Sequence, residues 1–299
     1  MMNWWRRRNW KYDALALDRF AGLQPATVIT GATRGIGYEL ARQMVQTRQT
    51  VVLIARSQED LQNAQQRLTT DLAKPTAHPI PSIVTIPIDI TSTAAETVIR
   101  ETLLEHDLYV DELINNAGIG LSGRFADEVT SNIDNLLSLN IEALTRLTRA
   151  FLPDMLIRGR GGIINFASLG GLTAGPYQAA YYASKSYVIS LTQAIKYENR
   201  GQGVRFTVIA PGPVETRFHA NMDAERAFYR RFLPAMSVQA IARSTLFWYK
   251  LNRTIVVPGV LNSILALCLW ILPGFLTTPV VAFLLNPRDT ERDTGSQSN

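Results

Sequence analysis

Residues 26–37 read ATVITGATRGIG, a short β-branched run followed at once by a loop with three glycines. The run ATVIT (26–30) is typical of a buried strand, and the pattern predicts a helix that opens at Gly35. Glycines let the backbone turn tightly and approach a pyrophosphate, which binds at the positive end of the following helix. Because a strand precedes this loop and a helix follows it, we predict a dinucleotide site and not a plain βα turn.

Further strand-like runs alternate with helical stretches along the chain. They are TVVLIA (50–55), IVTIPI (83–88), ELINN (112–116), GGIINFA (161–167) and VRFTVIA (204–210), with TIVVP (254–258) as a candidate seventh strand. Helices are expected near 57–72, 92–106, 132–157 and 179–199. Near-continuous apolar strands joined by helices indicate a parallel sheet covered on both faces. The predicted fold class is therefore α/β, a doubly wound parallel sheet of Rossmann type in a single domain, with its ligand crevice at the carboxyl ends of the strands.

A second stretch, from Ser168 to Lys185, brings together a hydroxyl, a phenol and an ammonium. Tyr181 and Lys185 are four residues apart, so on a helix their side chains lie on one face, one turn apart. A phenol with a pKa of about 10 is a poor acid or base at neutral pH, and a fixed cation beside it favours the phenolate. This arrangement predicts a site that moves a proton on or off an alcohol oxygen. Tyr182 lies three residues from Lys185 and competes for the same role.

The ordered motifs resemble the short-chain dehydrogenase/reductase family over residues 25–218. The resemblance is carried by the glycine loop, Asn115-Asn116-Ala117-Gly118, Asn140, Ser168, Tyr181-x-x-x-Lys185 and Pro211-Gly212. Ser168 precedes Tyr181 by thirteen residues, the customary offset of the family, which favours Tyr181 over Tyr182. The resemblance implies a single Rossmann-type domain that binds a nicotinamide dinucleotide.

The resemblance also implies a catalytic role for four residues. Tyr181 would act as general acid when a carbonyl is reduced and as base when an alcohol is oxidised. Lys185 would lower the pKa of that phenol and bind the nicotinamide ribose. Ser168 would hydrogen-bond the substrate oxygen, and Asn140 would hold a water that relays protons to Lys185. Tyr177 and Tyr187 are expected to line the pocket or to pack.

The expected cofactor is NADP(H) and not NAD(H). The second strand ends in Ala55 and Arg56 without an acid, and Arg34 in the glycine loop is a second cation. Two guanidiniums suit a 2′-phosphate dianion, which an aspartate would repel. Asp89, after the third strand, matches the family position that contacts adenine. The complete expected cofactor set is Gly31, Thr33, Arg34, Gly35, Ile36, Gly37, Arg56, Asp89, Asn116, Lys185, Pro211, Gly212, Val214 and Thr216.

Charge and composition exclude several classes of function. Of the net charge of +5, four charges come from the segment 6–11, before the first acid, and the remainder of the chain is nearly balanced. A basic groove for nucleic acid is therefore not expected. Cys268 is the only cysteine, so no internal disulfide forms, and the three histidines lack metal-ligand spacing. No secretory signal is apparent at residues 1–24, and we expect a cytoplasmic protein.

The region from Thr254 to Pro287 holds no charged residue. Its apolar part divides at Pro273-Gly274 into helical pieces over 260–272 and 275–285, each shorter than the roughly 20 residues that span a bilayer. Helices that are apolar on every side must be buried. Three burials remain open: a membrane interface or re-entrant hairpin, a subunit interface in a homo-oligomer, or packing over the substrate pocket of the same domain.

Four segments follow from these patterns. Residues 1–24 form a basic, aromatic N-terminal segment, whose tryptophans and arginines are typical either of an interfacial membrane contact or of a disordered end. Residues 25–258 form the Rossmann-type domain. Residues 259–287 form the apolar C-terminal helices, and 288–299 a polar tail that we expect to be disordered.

The expected function is an NADP(H)-dependent carbonyl reductase or alcohol dehydrogenase. The segment 217–232, where the family carries its substrate-covering helices, is rich in Phe, Tyr and Arg, which suggests an apolar substrate or a membrane-facing lid, although core packing explains aromatics equally well. Candidate substrates are a ketoacyl chain or a steroid- or retinoid-like ketone. The alternative is a non-catalytic NADP-binding scaffold or sensor at a membrane surface. The four intact catalytic candidates argue against it, because a pure binder does not require all of them.

Overall fold

The computed structural model describes residues 17–72, 81–215 and 235–286. Within these residues, seven parallel strands form one sheet in the order β3-β2-β1-β4-β5-β6-β7. The strand order reverses between β1 and β4, which is where an open α/β sheet places its ligand crevice. The strands are β1 (Gln24–Thr30), β2 (Val51–Ala55), β3 (Ile83–Pro87), β4 (Leu108–Asn115), β5 (Gly161–Phe166), β6 (Val204–Ile209) and β7 (Ile255–Val256).

Helices connect the strands and cover both faces of the sheet. They are α1 (Gly35–Gln46), α2 (Gln58–Leu72), α3 (Ala95–Glu105), α4 (Thr130–Leu137), α5 (Leu144–Arg158), α6 (Ala179–Glu198), α7 (Val238–Lys250), α8 (Val260–Ile271) and α9 (Gly274–Leu285). Two short 3₁₀ turns, Phe125–Asp127 and Leu169–Leu172, precede α4 and α6.

Successive residues of each central strand feed two separate cores. Ile29 of β1 packs in a cluster with α1, α2 and α7. Its neighbour Val28 packs in a second cluster with α3 and α5 on the opposite face. Because both faces of the strands are buried, the strands read as continuous apolar runs in the sequence. The predicted doubly wound parallel sheet of Rossmann type is confirmed.

Some elements differ in extent from the sequence-based expectation. β4 begins at Leu108, four residues before the predicted start at 112, because Leu108 and Val110 are buried and extend the ladder with β1. The helix predicted over 132–157 is one helical path from Thr130 to Arg158 that contains a π-helical turn at Ser138–Ala143. β7 keeps only two residues of TIVVP.

The C-terminal apolar region forms two helices, as predicted from the break at Pro273-Gly274. α8 ends at Ile271, and Pro273 is the N-cap of α9. No helix within residues 17–72, 81–215 and 235–286 is long and apolar enough to cross a membrane. Most of the N-terminal segment 1–24, Thr216, the aromatic segment 217–232 and the tail 288–299 lie outside the described residues.

Candidate functional site

The N-terminus of α1 is open to an anion. Its N-cap residue, Arg34, makes no side-chain capping bond, and the first turn carries no acid. The first N–H groups of the helix therefore have no side-chain acceptor and carry the positive end of the helix dipole. A Cβ on Gly37 would collide with the backbone oxygen of Gly31 and with Asn116, so only glycine lets the loop fold this closely on the helix. Gly31 and Gly35 both have positive φ angles, and Ile36 packs against the core below.

Asn116 and Thr30 hold the glycine loop against β4. The Asn116 side chain donates to the backbone oxygens of Thr30 at 3.0 Å and Gly31 at 3.1 Å. The Thr30 hydroxyl accepts from the backbone N–H groups of Asn116 and Ala117, both at 3.0 Å. Asn116 thus acts here by shaping the loop that would carry the cofactor. Sequence reasoning missed Thr30, whose position as the last residue of β1 was the available signal.

Two exposed guanidiniums flank the crevice near β2. Arg34 and Arg56 take part in no ion pair with any residue that the structure describes. Burial raises the pKa of the Asp89 carboxyl, but hydrogen bonds from the Thr91 N–H and hydroxyl and the charge of Arg56 leave that pKa below its usual value. Arg56 therefore lies within electrostatic reach of Asp89, as expected if both border the adenosine part of a dinucleotide.

Arg67 of α2 is a further cation at this end that sequence reasoning missed. Its guanidinium donates to the backbone oxygen of Thr33 at 3.1 Å and lies 4.4 Å from the centroid of the Tyr38 ring. Arg67 therefore ties α2 to the glycine loop and adds positive charge beside it. The sequence carried no signal for this contact, because thirty-four residues separate Arg67 from Thr33.

Tyr181 and Lys185 lie one turn apart on α6, and both are buried. The Lys185 Nζ is 5.7 Å from the centroid of the Tyr181 ring and donates to the Phe166 oxygen at 3.1 Å. Burial lowers the pKa of Lys185 from 10.5 to about 8. Lys185 is thus mostly protonated at neutral pH and places a positive charge beside the phenol ring of Tyr181.

The π-helical turn points Asn140 into the site. The side chain is 1% exposed and clamps the backbone of Ile119, accepting from its N–H at 2.9 Å and donating to its oxygen at 2.8 Å. It also donates to the Ser184 hydroxyl at 3.2 Å, and that hydroxyl donates to the backbone oxygen of Tyr181 at 2.7 Å. Sequence reasoning missed Ser184, although it shares a helix face with Tyr181.

Gly118 lies where Asn140 and Lys185 meet. A Cβ on Gly118 would lie 3.1 Å from the Asn140 oxygen and 3.3 Å from the Lys185 Nζ. The glycine that ends the Asn-Asn-Ala-Gly motif therefore lets both side chains approach the chain after β4. The first residue of the motif, Asn115, is buried and donates to Thr148 and Asn165 within the core.

Ser168 begins the 3₁₀ turn after β5. Its hydroxyl accepts from the Gly170 N–H at 3.2 Å, and the Leu169 N–H donates to the Pro211 oxygen at 2.9 Å. The turn and the Pro211-Gly212 loop are therefore fixed to one another at the carboxyl ends of β5 and β6. Val214 is buried and pairs with Met236.

The remaining tyrosines have structural contacts. A Cβ on Gly170 or on Gly175 would collide with the Tyr182 ring, so this ring is packed on those two glycines. The Tyr187 hydroxyl lies 3.0 Å from that of Thr145. Tyr177 has a φ of 65° and accepts a bond from the Gly123 N–H. Among the described residues, no three His, Cys, Asp or Glu side chains gather as a metal site.

Comparison with known proteins identifies the family of this chain. A family model described as short chain dehydrogenase matches residues 25–227. The chain belongs to the short-chain dehydrogenase family. One relative, the ketoacyl reductase HetN of Nostoc sp., is 35% identical over 187 residues, which cover 62% of each chain. The aligned part is thus less than two thirds of that relative.

Solved structures of the family share the fold. A short-chain dehydrogenase from Sphingobium yanoikuyae in complex with NADPH is 26% identical, with a TM-score of 0.69 over 84% of this chain and 96% of that one. A bulky-bulky ketone specific alcohol dehydrogenase from Comamonas testosteroni is 25% identical, with a TM-score of 0.66 over 84% and 95%. The protein is thus an oxidoreductase of the short-chain dehydrogenase type.

Proposed function

We propose that the protein reduces a lipophilic ketone, or oxidises the corresponding secondary alcohol, with NADP(H). The observation that carries this proposal is the buried pair of Tyr181 and Lys185, with the Lys185 Nζ 5.7 Å from the phenol ring and its pKa lowered to about 8. A buried cation with one backbone acceptor next to a phenol is costly for stability and suits proton transfer.

Each catalytic candidate has a defined task in this proposal. A bound nicotinamide would supply the hydride in reduction and accept it in oxidation. Tyr181 gives its phenolic proton to the carbonyl oxygen in reduction and takes it back in oxidation. Lys185 lowers the pKa of the phenol by its charge, Ser168 donates a hydrogen bond to the substrate oxygen, and Asn140 holds a water that returns protons to Lys185.

The choice of NADP(H) rests on charge. Arg56 follows β2 and Arg34 lies in the glycine loop, both without a described ion-pair partner, and Arg67 adds a third guanidinium beside that loop. A 2′-phosphate would pair with such groups, whereas a free 2′-hydroxyl needs an acid, which Ala55 does not provide. Gly31, Thr33, Gly35, Ile36 and Gly37 would hold the pyrophosphate. The other proposed contacts are Asp89, Asn116, Lys185, Pro211, Gly212, Val214 and Thr216.

The position of the apolar C-terminal helices beside the candidate site supports a lipophilic substrate. A Cβ on Gly212 would lie 2.6 Å from the side-chain oxygen of Asn262 in α8, so α8 packs on the Pro211-Gly212 loop. The Thr277 hydroxyl of α9 lies 3.3 Å from that of Thr173, five residues after Ser168. These contacts support burial beside the substrate pocket. The substrate class is proposed by analogy with two similar proteins, the bulky-bulky ketone specific alcohol dehydrogenase of Comamonas testosteroni and the ketoacyl reductase HetN.

The domain boundaries, a cytoplasmic location and a homo-oligomer stay predictions within this proposal. The alternative is a nucleotide-binding scaffold without turnover, and one assay separates the two. Purified protein is mixed with NADPH or NADH and a panel of ketones of increasing bulk, and cofactor oxidation is followed by absorbance. We expect turnover with NADPH on the bulky apolar members. Tight NADPH binding without turnover on any ketone or alcohol would favour the scaffold, and faster turnover with NADH would contradict the cofactor assignment.

A further inference from the structure

Helices α8 and α9 present a large apolar surface to solvent. Their buried positions are Asn262, Ala266, Thr277, Val281 and Leu285, of which two are polar. Their exposed face consists of large apolar side chains, with Val260 80%, Trp270 79% and Phe275 75% exposed. The other large apolar members of this face are Leu261, Ile264, Leu267, Ile271, Leu272, Leu276, Val280 and Phe283. We refer to these eleven side chains as the apolar face. An apolar patch of this kind marks a binding surface.

The apolar face has few free hydrogen-bond donors or acceptors that a protein partner could use. The Ser263 hydroxyl, also exposed on α8, is already bonded to the backbone oxygens of Val257 and Gly259, both at 2.9 Å. The sequence from 254 to 287 contains no charged residue. Protein–protein interfaces carry about one hydrogen bond per 100–200 Å² and a polar rim, and a second copy of this face would supply neither. A hydrocarbon phase requires no such partners.

The net charge of the chain favours a lipid surface. The chain carries +5, of which four charges come from the basic N-terminal segment 6–11, and the apolar face itself carries no charge that would have to be desolvated. A cationic protein is attracted to the anionic lipids of a bilayer surface, and apolar side chains then enter the boundary between headgroups and acyl chains. Trp270 and Phe275 are of the aromatic type that favours this boundary.

The inner side of the same helices touches the candidate active site. Asn262 contacts Gly212, Thr277 contacts Thr173, and α8 packs on the 3₁₀ turn that follows Ser168. A lipid layer on the outer side would therefore lie one helix thickness, about 10 Å, from this turn.

We propose that the apolar face of α8 and α9 docks on a phospholipid surface and brings the Ser168 turn next to the bilayer, so that an apolar substrate reaches the site from the lipid. The docking proposal depends on the apolar face and not on the proposed function. The route of the substrate rests on the function proposed above, and the two are tested separately.

The docking test is flotation of the full-length protein with phospholipid vesicles. The vesicles are phosphatidylcholine alone or phosphatidylcholine with about one third phosphatidylglycerol. Wild type is compared with a double variant in the apolar face, Trp270→Glu with Phe275→Glu. The matched control, Leu104→Glu with Phe247→Glu, adds the same charge at exposed apolar residues on α3 and α7. A second face variant, Ile264→Gln with Val280→Gln, removes apolar area without adding charge.

We expect wild type and the control to float with the vesicles, more strongly with the anionic ones, and both face variants to lose at least about ten-fold in partitioning. Retained NADPH binding shows that the variants are folded. Wild type that stays below both kinds of vesicle would overturn the docking, as would face variants that float like wild type. A stable dimer that the face variants dissociate in light scattering would assign the face to a second copy instead.

Substrate entry has a separate readout. With a ketone dissolved in the vesicles, we expect the face variants to show a raised KM, and with a water-soluble ketone to match wild type. An unchanged KM for the membrane-dissolved ketone would overturn the route. Loss of turnover by wild type on both ketones would instead count against the proposed reductase and leave the flotation result standing.

Discussion

The Lys185 ammonium lies 5.7 Å from the centre of the Tyr181 ring, and its hydrogen bond to the Phe166 oxygen anchors it there. The fold creates this relationship in two steps. The helical repeat of α6 places both side chains on one face, and β5 brings the Phe166 oxygen to the end of the lysine. The hydrophobic core below prevents water from solvating the charge, which is why the pKa of Lys185 falls to about 8.

The first prediction concerns stability against pH. Lys185 has a pKa of about 8 in the folded protein and an ordinary value of 10.5, so between these values the unfolded chain binds more protons. The free energy of unfolding should therefore rise with pH across this window, by up to about 3 kcal/mol for this group. Urea denaturation of wild type and Lys185→Met over a pH series measures it. The variant should lack this part of the rise, and parallel curves would refute the buried charge.

The second prediction concerns Gly118. In Gly118→Ala, the added methyl group would lie 3.1 Å from the Asn140 oxygen and 3.3 Å from the Lys185 Nζ, and should displace one of them. We expect kcat to fall between about 10- and 100-fold, with a smaller loss of NADPH affinity because Lys185 is also a proposed cofactor contact. The control is Gly274→Ala, where the nearest atom to a new Cβ is 4.0 Å away. Wild-type turnover by Gly118→Ala would show that this contact does not position the site.

The third prediction concerns the cofactor phosphate. Replacing Arg56 by alanine should raise the Kd for NADPH about 10- to 100-fold, because a charge-assisted hydrogen bond is lost, and should leave the Kd for NADH unchanged. Arg67→Ala should weaken both cofactors, since it also releases the Thr33 oxygen of the glycine loop. Arg200→Ala, at the far end of α6, is the control. Titration of nicotinamide fluorescence gives the Kd of each variant for both cofactors, and equal losses for NADPH and NADH in Arg56→Ala would exclude a 2′-phosphate contact.

The fourth prediction concerns Thr30. Thr30→Val replaces the hydroxyl by a methyl group of the same shape. The Ala117 N–H then loses its acceptor, and the Asn116 N–H keeps only the Ile114 oxygen at 3.1 Å. We expect a loss of about 1–3 kcal/mol in the free energy of unfolding and weaker binding of both cofactors. The exposed Thr70→Val in α2 should change stability little. Equal stability of the two variants would show that Thr30 does not hold the loop.

The alternation of apolar strands and helices was sufficient to predict the fold. Both faces of the sheet are buried, and the central strands are therefore nearly continuous apolar runs, with interruptions such as Asp111 and Glu112 in β4. The positions of Tyr181 and Lys185 were predictable for a similar reason, since their spacing is local to one helix. Ser184 could have been found in the same way, because it lies three residues after Tyr181 on the same face.

Other parts of the site depend on contacts between residues that are far apart in the chain, and no local sequence pattern predicts such contacts. Arg67 reaches Thr33 across thirty-four residues, and Thr277 meets Thr173 across 104. The inward position of Asn262 and Thr277 was hidden too, because an apolar run does not show which side of each helix faces the domain. The π-helical turn that orients Asn140 likewise depends on its bonds to Ile119 and Ser184.

The most direct measurement of the central claim compares two tyrosines that are adjacent in the chain. Steady-state turnover of a ketone with NADPH is measured for wild type, Tyr181→Phe and Tyr182→Phe, with NADPH affinity as the test of folding. The account predicts that Tyr181→Phe loses about 100- to 10,000-fold in kcat with little change in NADPH affinity, because its proton donor is gone. Tyr182→Phe keeps its ring packed on Gly170 and Gly175 and should retain turnover. Undiminished turnover by Tyr181→Phe would contradict the account.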